Sequence, residues 1–162
     1  YDGDVSQVSD VSRSRIRLQS PSDVKKAKDI LASENFRNYL HDKGIKILGV
    51  EDFFETPKQT GWRGLVVKIE VALGKGRTQK SETVLLPNGW FPDYETTHRY
   101  FENGRALKDL AKAQNNRELS DDEKTQIARY NRMSKEIHDR LAHRDGYAAL
   151  ETKPRVPLQL VI

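Results

Sequence analysis

Glu82 lies in the alternating segment KSETVLL, which is expected to form a strand with Lys80, Glu82 and Val84 on one face. A carboxylate in mid-strand is costly to desolvate unless it meets a metal, a cation or a substrate hydroxyl. Glu82 is therefore the first candidate for chemistry, with a salt bridge to Lys80 or to an arginine of the first strand as the structural alternative. A second group lies in TPKQTGWRG, where Lys58, Gly61, Trp62, Arg63 and Gly64 combine cations, side-chain-free backbone and one large aromatic. Phosphates suit cations beside glycines, and a purine base suits an aromatic face or a guanidinium plane. The same composition also describes a surface loop with a half-buried tryptophan. A third group is Arg13, Arg15 and Arg17, every second residue of RSRIRL just after Asp10. The period puts the arginines on one face and Ser14, Ile16 and Leu18 on the other, which is also the pattern of a solvated edge strand. GKGRTQ (74–79) is a basic hairpin turn that lacks the Walker A spacing. The dipeptides His41-Asp42 and His138-Asp139 have no further ligand-type neighbours and are not read as metal sites.

Strands and helices must hold these groups. Ile45, Ile47 and Val50 begin a short strand after Gly44, the loop around Pro57 and Gly61 turns the backbone, and Leu65 to Leu73 resumes as a strand. Val67, Ile69, Val71 and Leu73 share one of its faces. Ser20-Pro21 with Asp23 starts a helix whose stripe is Val24, Ala27, Ile30 and Leu31, with Lys25, Lys26 and Lys28 on its solvated face. The pattern breaks near Ser33 to Asn35 and continues through Phe36, Tyr39 and Leu40 to Gly44. Pro87-Asn88-Gly89 ends the glutamate strand, and Trp90, Phe91 and Tyr94 lead into a helix from about Asp93 or Thr96 that carries His98, Tyr100, Phe101, Arg105, Leu107 and Leu110. Ser120 and Glu123 form a capping box ahead of Ile127, Tyr130, Met133, Ile137 and Leu141, a packing stripe that stops near Gly146. The expected fold is mixed α/β of the α+β kind, four or five strands with helices packed on them and a helix-rich C-terminal third. One domain over 1–151 and an extended tail over 152–162 complete the organisation.

The 162 residues suffice for one domain with a real core. A net charge of +4 allows an anionic partner without singling out nucleic acid. Absence of Cys excludes disulfides, thiol chemistry and Cys-bearing zinc sites. No apolar run approaches the ~20 residues of a membrane span and no signal-peptide pattern is present, so the domain is expected to be soluble and without a membrane partner. The first residue is Tyr, which suggests a piece of a longer protein.

In order and spacing the three groups resemble the alarmone synthetases of the RelA/SpoT-like family, most closely the small ones. Glu51-Asp52-Phe53, Thr56-Pro57-Lys58 and Gly61-Trp62-Arg63-Gly64 resemble the family's strand, NPK-type loop and GYRSxH. DVSRSR, from Asp10 to Arg15, resembles its DxxGxR, and ETVLL, from Glu82 to Leu86, its EVQxR. THRYFENGR resembles in part its EHxxxYK helix, keeping the His. The resemblance implies an RelA/SpoT-like nucleotidyltransferase-type sheet and an ATP-dependent pyrophosphokinase, in which the 3′-hydroxyl of an acceptor nucleotide attacks the β-phosphorus of ATP and AMP leaves. It implies Asp10 on Mg2+, Glu82 as base and second Mg2+ ligand, and Arg13, Arg15, Lys58 and Arg63 on phosphates. Trp62 would stack on the acceptor base, and His98 and Arg105 would contact nucleotide.

The departures are specific. Arg13 stands at the family's Gly, Val66 at its His, and Val84 and Leu86 at its Gln and Arg. Guanine specificity is thereby put in doubt, while both carboxylates remain. The expectation is a purine acceptor, ADP or ATP, giving (p)ppApp, in a toxin domain similar in type to type VI secretion effectors. Such a domain would be secreted, would act in the cytoplasm of a recipient bacterium, and would be covered at its active site by an immunity protein. The alternatives are (p)ppGpp synthesis, pyrophosphorylation of the tRNA 3′ end, and an inactive RNA- or protein-binding module.

Overall fold

The computed structural model describes residues 13–153. Asp10 and the tail from residue 154 onward lie outside the described residues. The chain forms two compact units, one of residues up to 54 with 64–88, the other of 55–63 with the residues from 89 on.

The first unit is a four-stranded mixed sheet in the order β1-β4-β3-β2 with two helices. β1 (Arg13–Leu18) runs parallel to β4 (Arg77–Pro87), and β3 (Leu65–Gly74) is antiparallel to both β4 and β2 (Ile45–Asp52). Strand register puts the expected residues of β1, β3 and β4 on shared faces, but burial follows only in part. In β1 only Leu18 is buried, and Ile16, with Leu73 toward the end of β3 away from the core, is more than half exposed although both are expected on the apolar faces. Leu18, Leu65, Val67 and Leu85 are buried on one face, and charged residues line much of the other. Toward the end of β4 that face is buried as well, at Val66, Val84 and Leu86.

α1 (Pro21–Ala32) lies against β1, and α2 (Glu34–Asp42) against β2. The Asp23 carboxylate accepts from the Gln19 and Ser20 amides at 3.1 and 3.0 Å, closing the cap expected at Ser20-Pro21. The helices part at Ser33, as the broken stripe implies. Two stripe members depart from expectation, since Ile30 and Tyr39 are more than half exposed. Buried Val24 and half-buried Leu31 are seven positions apart and nearly eclipsed at 3.6 residues per turn, whereas Ile30 falls about 120° round the helix. Tyr39 has Lys43 Nζ 5.8 Å from its ring centroid. Lys28, expected only to be solvated, places Nζ 2.6 Å from Asp52 Oδ2 and ties α1 to the end of β2.

β3 and β4 meet in a two-residue turn, Lys75-Gly76, with Gly74 opposite Arg77. Both central residues have positive φ, 51° and 72°, the requirement of a type I′ turn. Lysine is strained there whereas asparagine is tolerated. Lys75→Asn is expected to stabilise the protein by about 0.5–1 kcal/mol. A denaturant midpoint that falls on this change would show that the turn is not of this kind.

The second unit contains α3 (Phe91–Ala113) and α4 (Asp121–Arg144), packed on each other. Gly104 is buried with its α-carbon facing Ile127, and Tyr100 stacks on Tyr130 at 6.1 Å between centroids. The expected box at the start of α4 is closed in both directions, with Ser120 Oγ accepting from the Glu123 amide and Glu123 from the Ser120 amide. Arg117 adds a two-pronged ion pair to the Glu123 carboxylate at 2.7 Å for each prong. A short 3-10 turn, Tyr147–Leu150, follows α4. Among the described residues, no helix is long and apolar enough to cross a membrane.

Candidate functional site

In the first unit, strand register gathers the charged residues. Glu82 of β4 stands directly between Arg13 of β1 and Lys68 of β3. Arg13 Nη2 donates to Glu82 Oε2 at 3.2 Å, with the glutamate side chain 15% exposed and the arginine 44%. The salt bridge to a first-strand arginine, the structural alternative in the sequence, is therefore realised, and it brings together two residues proposed for one reaction. Arg15 and Arg17 follow along β1 opposite Val84 and Leu86. Lys68 Nζ lies 2.9 Å from Glu51 Oε1 of β2, and Gly49 stands opposite Lys68. The sequence reading assigns Lys68 no role, although the inward alternation of Val67 and Ile69 already places it on the charged face.

Glu82 offers hard oxygen donors, which suit Mg2+, an ion commonly held by one or two carboxylates together with substrate phosphates. Among the described residues no group of three or more His, Cys, Asp or Glu side chains is placed to hold a metal. This donor set fits an ion that arrives with a triphosphate. Asp10, the other expected ligand, lies outside the described residues.

In the second unit, the loop 55–63 is folded by its own backbone. The Lys58 amide donates to the Trp62 carbonyl at 3.2 Å, and the Gly61 amide to the Lys58 carbonyl at 2.8 Å, with Gly61 at φ 75°. A β-carbon at Gly61 would meet His138 Cβ at 3.0 Å and the Lys135 carbonyl at 3.1 Å, so only glycine fits between this loop and α4. Lys58 Nζ sits 5.2 Å from the Trp62 ring centroid, a cation–π pair that keeps both side chains together.

Arg63 corrects the sequence reading. Its side chain is 1% exposed, and its guanidinium donates to the Gly61 carbonyl at 2.8 Å, to Asp139 Oδ1 at 3.2 Å and to Glu151 Oε2 at 2.8 Å. A guanidinium buried on two carboxylates is not presented to a phosphate; Arg63 anchors the loop instead. The His138-Asp139 dipeptide, to which the sequence assigns no metal site, serves the same end. His138 Nδ1 lies 3.1 Å from the Thr60 carbonyl, and since a carbonyl can only accept, Nδ1 carries the proton. Ser134 Oγ stands 3.3 Å from the same nitrogen.

Burial holds the His138 pKa down to about 4 from 6.5. The unfolded chain therefore binds a proton that the folded one refuses, and stability present above pH 6.5 is lost as the pH falls through 4. The loss from this group is expected to reach about 3 kcal/mol, and His138→Gln should flatten the fall between pH 6.5 and 4 in denaturant titrations. An equal slope in that variant would assign the acid sensitivity elsewhere.

His98 lies on α3 between the rings of Tyr94 and Phe101, at 5.8 and 6.2 Å and nearly parallel to both. At these centroid distances the rings are offset, and the His98 side chain stays 46% exposed with Nε2 3.7 Å from Glu102 Oε1. Arg105 Nη2 is 2.7 Å from Glu102 Oε2, and its side chain is 56% exposed.

No family model and no curated protein matches this sequence. Solved structures do match. The small alarmone synthetase 2 from Bacillus subtilis superposes with a TM-score of 0.55 at 18% identity, over 87% of this chain and 65% of the other. A GTP pyrophosphokinase family protein from Streptococcus pneumoniae gives 0.48 at 16% identity, over 90% and 65%. The small alarmone synthetase 1 from Bacillus subtilis, bound to its product pppGpp, gives 0.47 at 12% identity, over 87% and 63%. The chain thus spans somewhat less than two thirds of these proteins. The first of these likenesses shows the fold to be that of a small alarmone synthetase, as the sequence motifs imply.

Proposed function

We propose that this chain is an ATP-dependent nucleotide 3′-pyrophosphokinase, with Glu82 as the group that accepts the proton of the attacking hydroxyl. One observation carries the reading: in a synthetase-type fold, a largely buried carboxylate stands in register between cations of the two neighbouring strands. Mg2+ bound with the triphosphate and held by Glu82, and by Asp10, would neutralise phosphate charge and polarise the phosphorus under attack. Arg13 and Arg15, on consecutive outward positions of β1, hold the donor triphosphate in line. A bound triphosphate competes for Arg13, which releases a Glu82 oxygen toward the acceptor 3′-hydroxyl. The hydroxyl oxygen bonds to the β-phosphorus, its proton passes to Glu82, and the bond to the α,β-bridging oxygen breaks to release AMP. Lys58, Trp62, His98 and Arg105, all in the second unit, are proposed as nucleotide-binding residues on the motif resemblance alone.

The acceptor in this reading is an adenine nucleotide, ADP or ATP, giving (p)ppApp. Support comes from Val66, Val84 and Leu86, apolar where the family carries His, Gln and Arg. The biological role we assign is that of a secreted toxin domain with an immunity protein over its active site. Incubating the purified protein with Mg2+ and ATP, alone or with ADP, GDP or GTP, and resolving the nucleotides by anion exchange tests both reaction and acceptor. Equimolar AMP and a 3′-pyrophosphorylated adenine nucleotide are expected. A product formed only from GDP or GTP would overturn the adenine assignment, and no turnover with any free nucleotide would overturn the reading and direct the same assay to the tRNA 3′ end.

A further inference from the structure

Lys68 is the charged neighbour of Glu82 that the reaction above does not use. Its place is fixed by strand register, directly across from Glu82 on the side away from Arg13. Cross-strand neighbours have β-carbons about 5 Å apart, and the lysine side chain is longer than that distance. Its ammonium nevertheless points the other way, to Glu51 Oε1 at 2.9 Å. Both members of that pair are close to half exposed, 42% and 46%, so water screens it and little free energy holds it closed. Beyond Lys68 the β2 position is Gly49, where an added β-carbon would meet nothing within 4 Å, leaving open space beside the pair. No positive φ requires glycine there.

From this arrangement we infer that Lys68 is a further substrate-binding residue, taking a phosphate of the bound nucleotide on the flank of Glu82 opposite Arg13. Glu51 is its positioning residue, holding the ammonium over the face until a phosphate competes for it. The inference rests on the pyrophosphokinase reading, because it places nucleotide over Glu82. It adds a second cationic wall to a site whose other wall is β1. A phosphate between the two walls meets cations from two strands that flank the same carboxylate. Ammonium–phosphate contacts of this kind are charge-assisted and stronger than the exposed lysine–glutamate pair they replace.

The test is equilibrium binding of ADP and of adenosine, with Mg2+, to the wild-type protein and to Lys68→Met and Glu51→Gln, by calorimetry. Loss of the lysine should weaken ADP about tenfold and leave adenosine unchanged. Loss of the glutamate should do the reverse, tightening ADP about threefold, because the lysine no longer has to leave a partner. In the double variant the gain from Glu51→Gln should vanish. A merely structural pair would give the same sign for both single changes, together with a lower unfolding midpoint. Wild-type binding of ADP with the same affinity in all variants would overturn the inference alone. Failure of the wild-type protein to bind ADP would overturn it together with the reading on which it rests.

Discussion

Glu82→Gln is expected to slow pyrophosphate transfer by about a thousandfold while moving the unfolding midpoint by no more than about 2 °C. The amide keeps the size of the side chain and an oxygen for Arg13 to donate to, but it cannot take the proton of the attacking hydroxyl and binds Mg2+ poorly. The structural cost is small because the Arg13 side chain is 44% exposed and water takes over its solvation. The measurement is single-turnover AMP release at saturating ATP, beside a thermal melt of the same preparation. Activity within tenfold of wild type would remove Glu82 from the chemistry. A large fall in the melting temperature would instead make the Arg13–Glu82 pair a structural tie between β1 and β4.

Arg63→Ala is expected to cost about 3 kcal/mol of stability, the largest loss from any single ion-paired side chain described here. The change deletes a buried guanidinium that pairs with both Asp139 and Glu151; Asp139 keeps Lys135 Nζ at 2.8 Å. Both carboxylates are 21–28% exposed, which keeps the cost at the lower end for a broken buried pair. The Gly61 carbonyl also loses its donor. Urea denaturation monitored by tryptophan fluorescence reads this directly, since Trp62 is the adjacent residue. Arg63→Lys should fall between, because one ammonium cannot reach three acceptors in the fixed geometry of the guanidinium. Unchanged stability with weakened nucleotide binding would return Arg63 to the phosphate role suggested by its place after Gly61-Trp62.

Arg63 and Arg13 show where sequence is informative and where it is not. Both arginines lie in motifs that resemble phosphate-binding segments. Arg13 is on a strand whose opposite face carries Ile16 and buried Leu18, so its side relative to Leu18 follows from the period of two. Arg63 is in a loop, where no period fixes direction, and its partners Asp139 and Glu151 are 76 and 88 residues away. Its inward turn leaves no trace in the local pattern. His138 is a comparable case, since the Thr60 carbonyl that explains it lies 78 residues upstream. Ile30 and Tyr39 depart from the stripe for another reason, because apolarity alone does not decide which side of a stripe faces the sheet.

The sequence by itself determined the short-range layer: which residues of β1, β3 and β4 share a face, the caps at Ser20 and Ser120, a helix break near Ser33 to Asn35 and a hairpin turn within 74–79. These depend on hydrogen bonds and side-chain directions within a few residues, so they are written in neighbouring letters. The tertiary structure alone decided that β1 pairs in parallel with β4, a contact across 69 residues that sets Arg13 beside Glu82 and leaves Lys68 on the other flank. It also decided that Arg63 is buried while Lys58 and Trp62 remain partly exposed. Strand pairing and loop anchoring join distant segments, and the free energy that selects among such pairings comes from the burial of whole faces, which no single stretch of sequence contains.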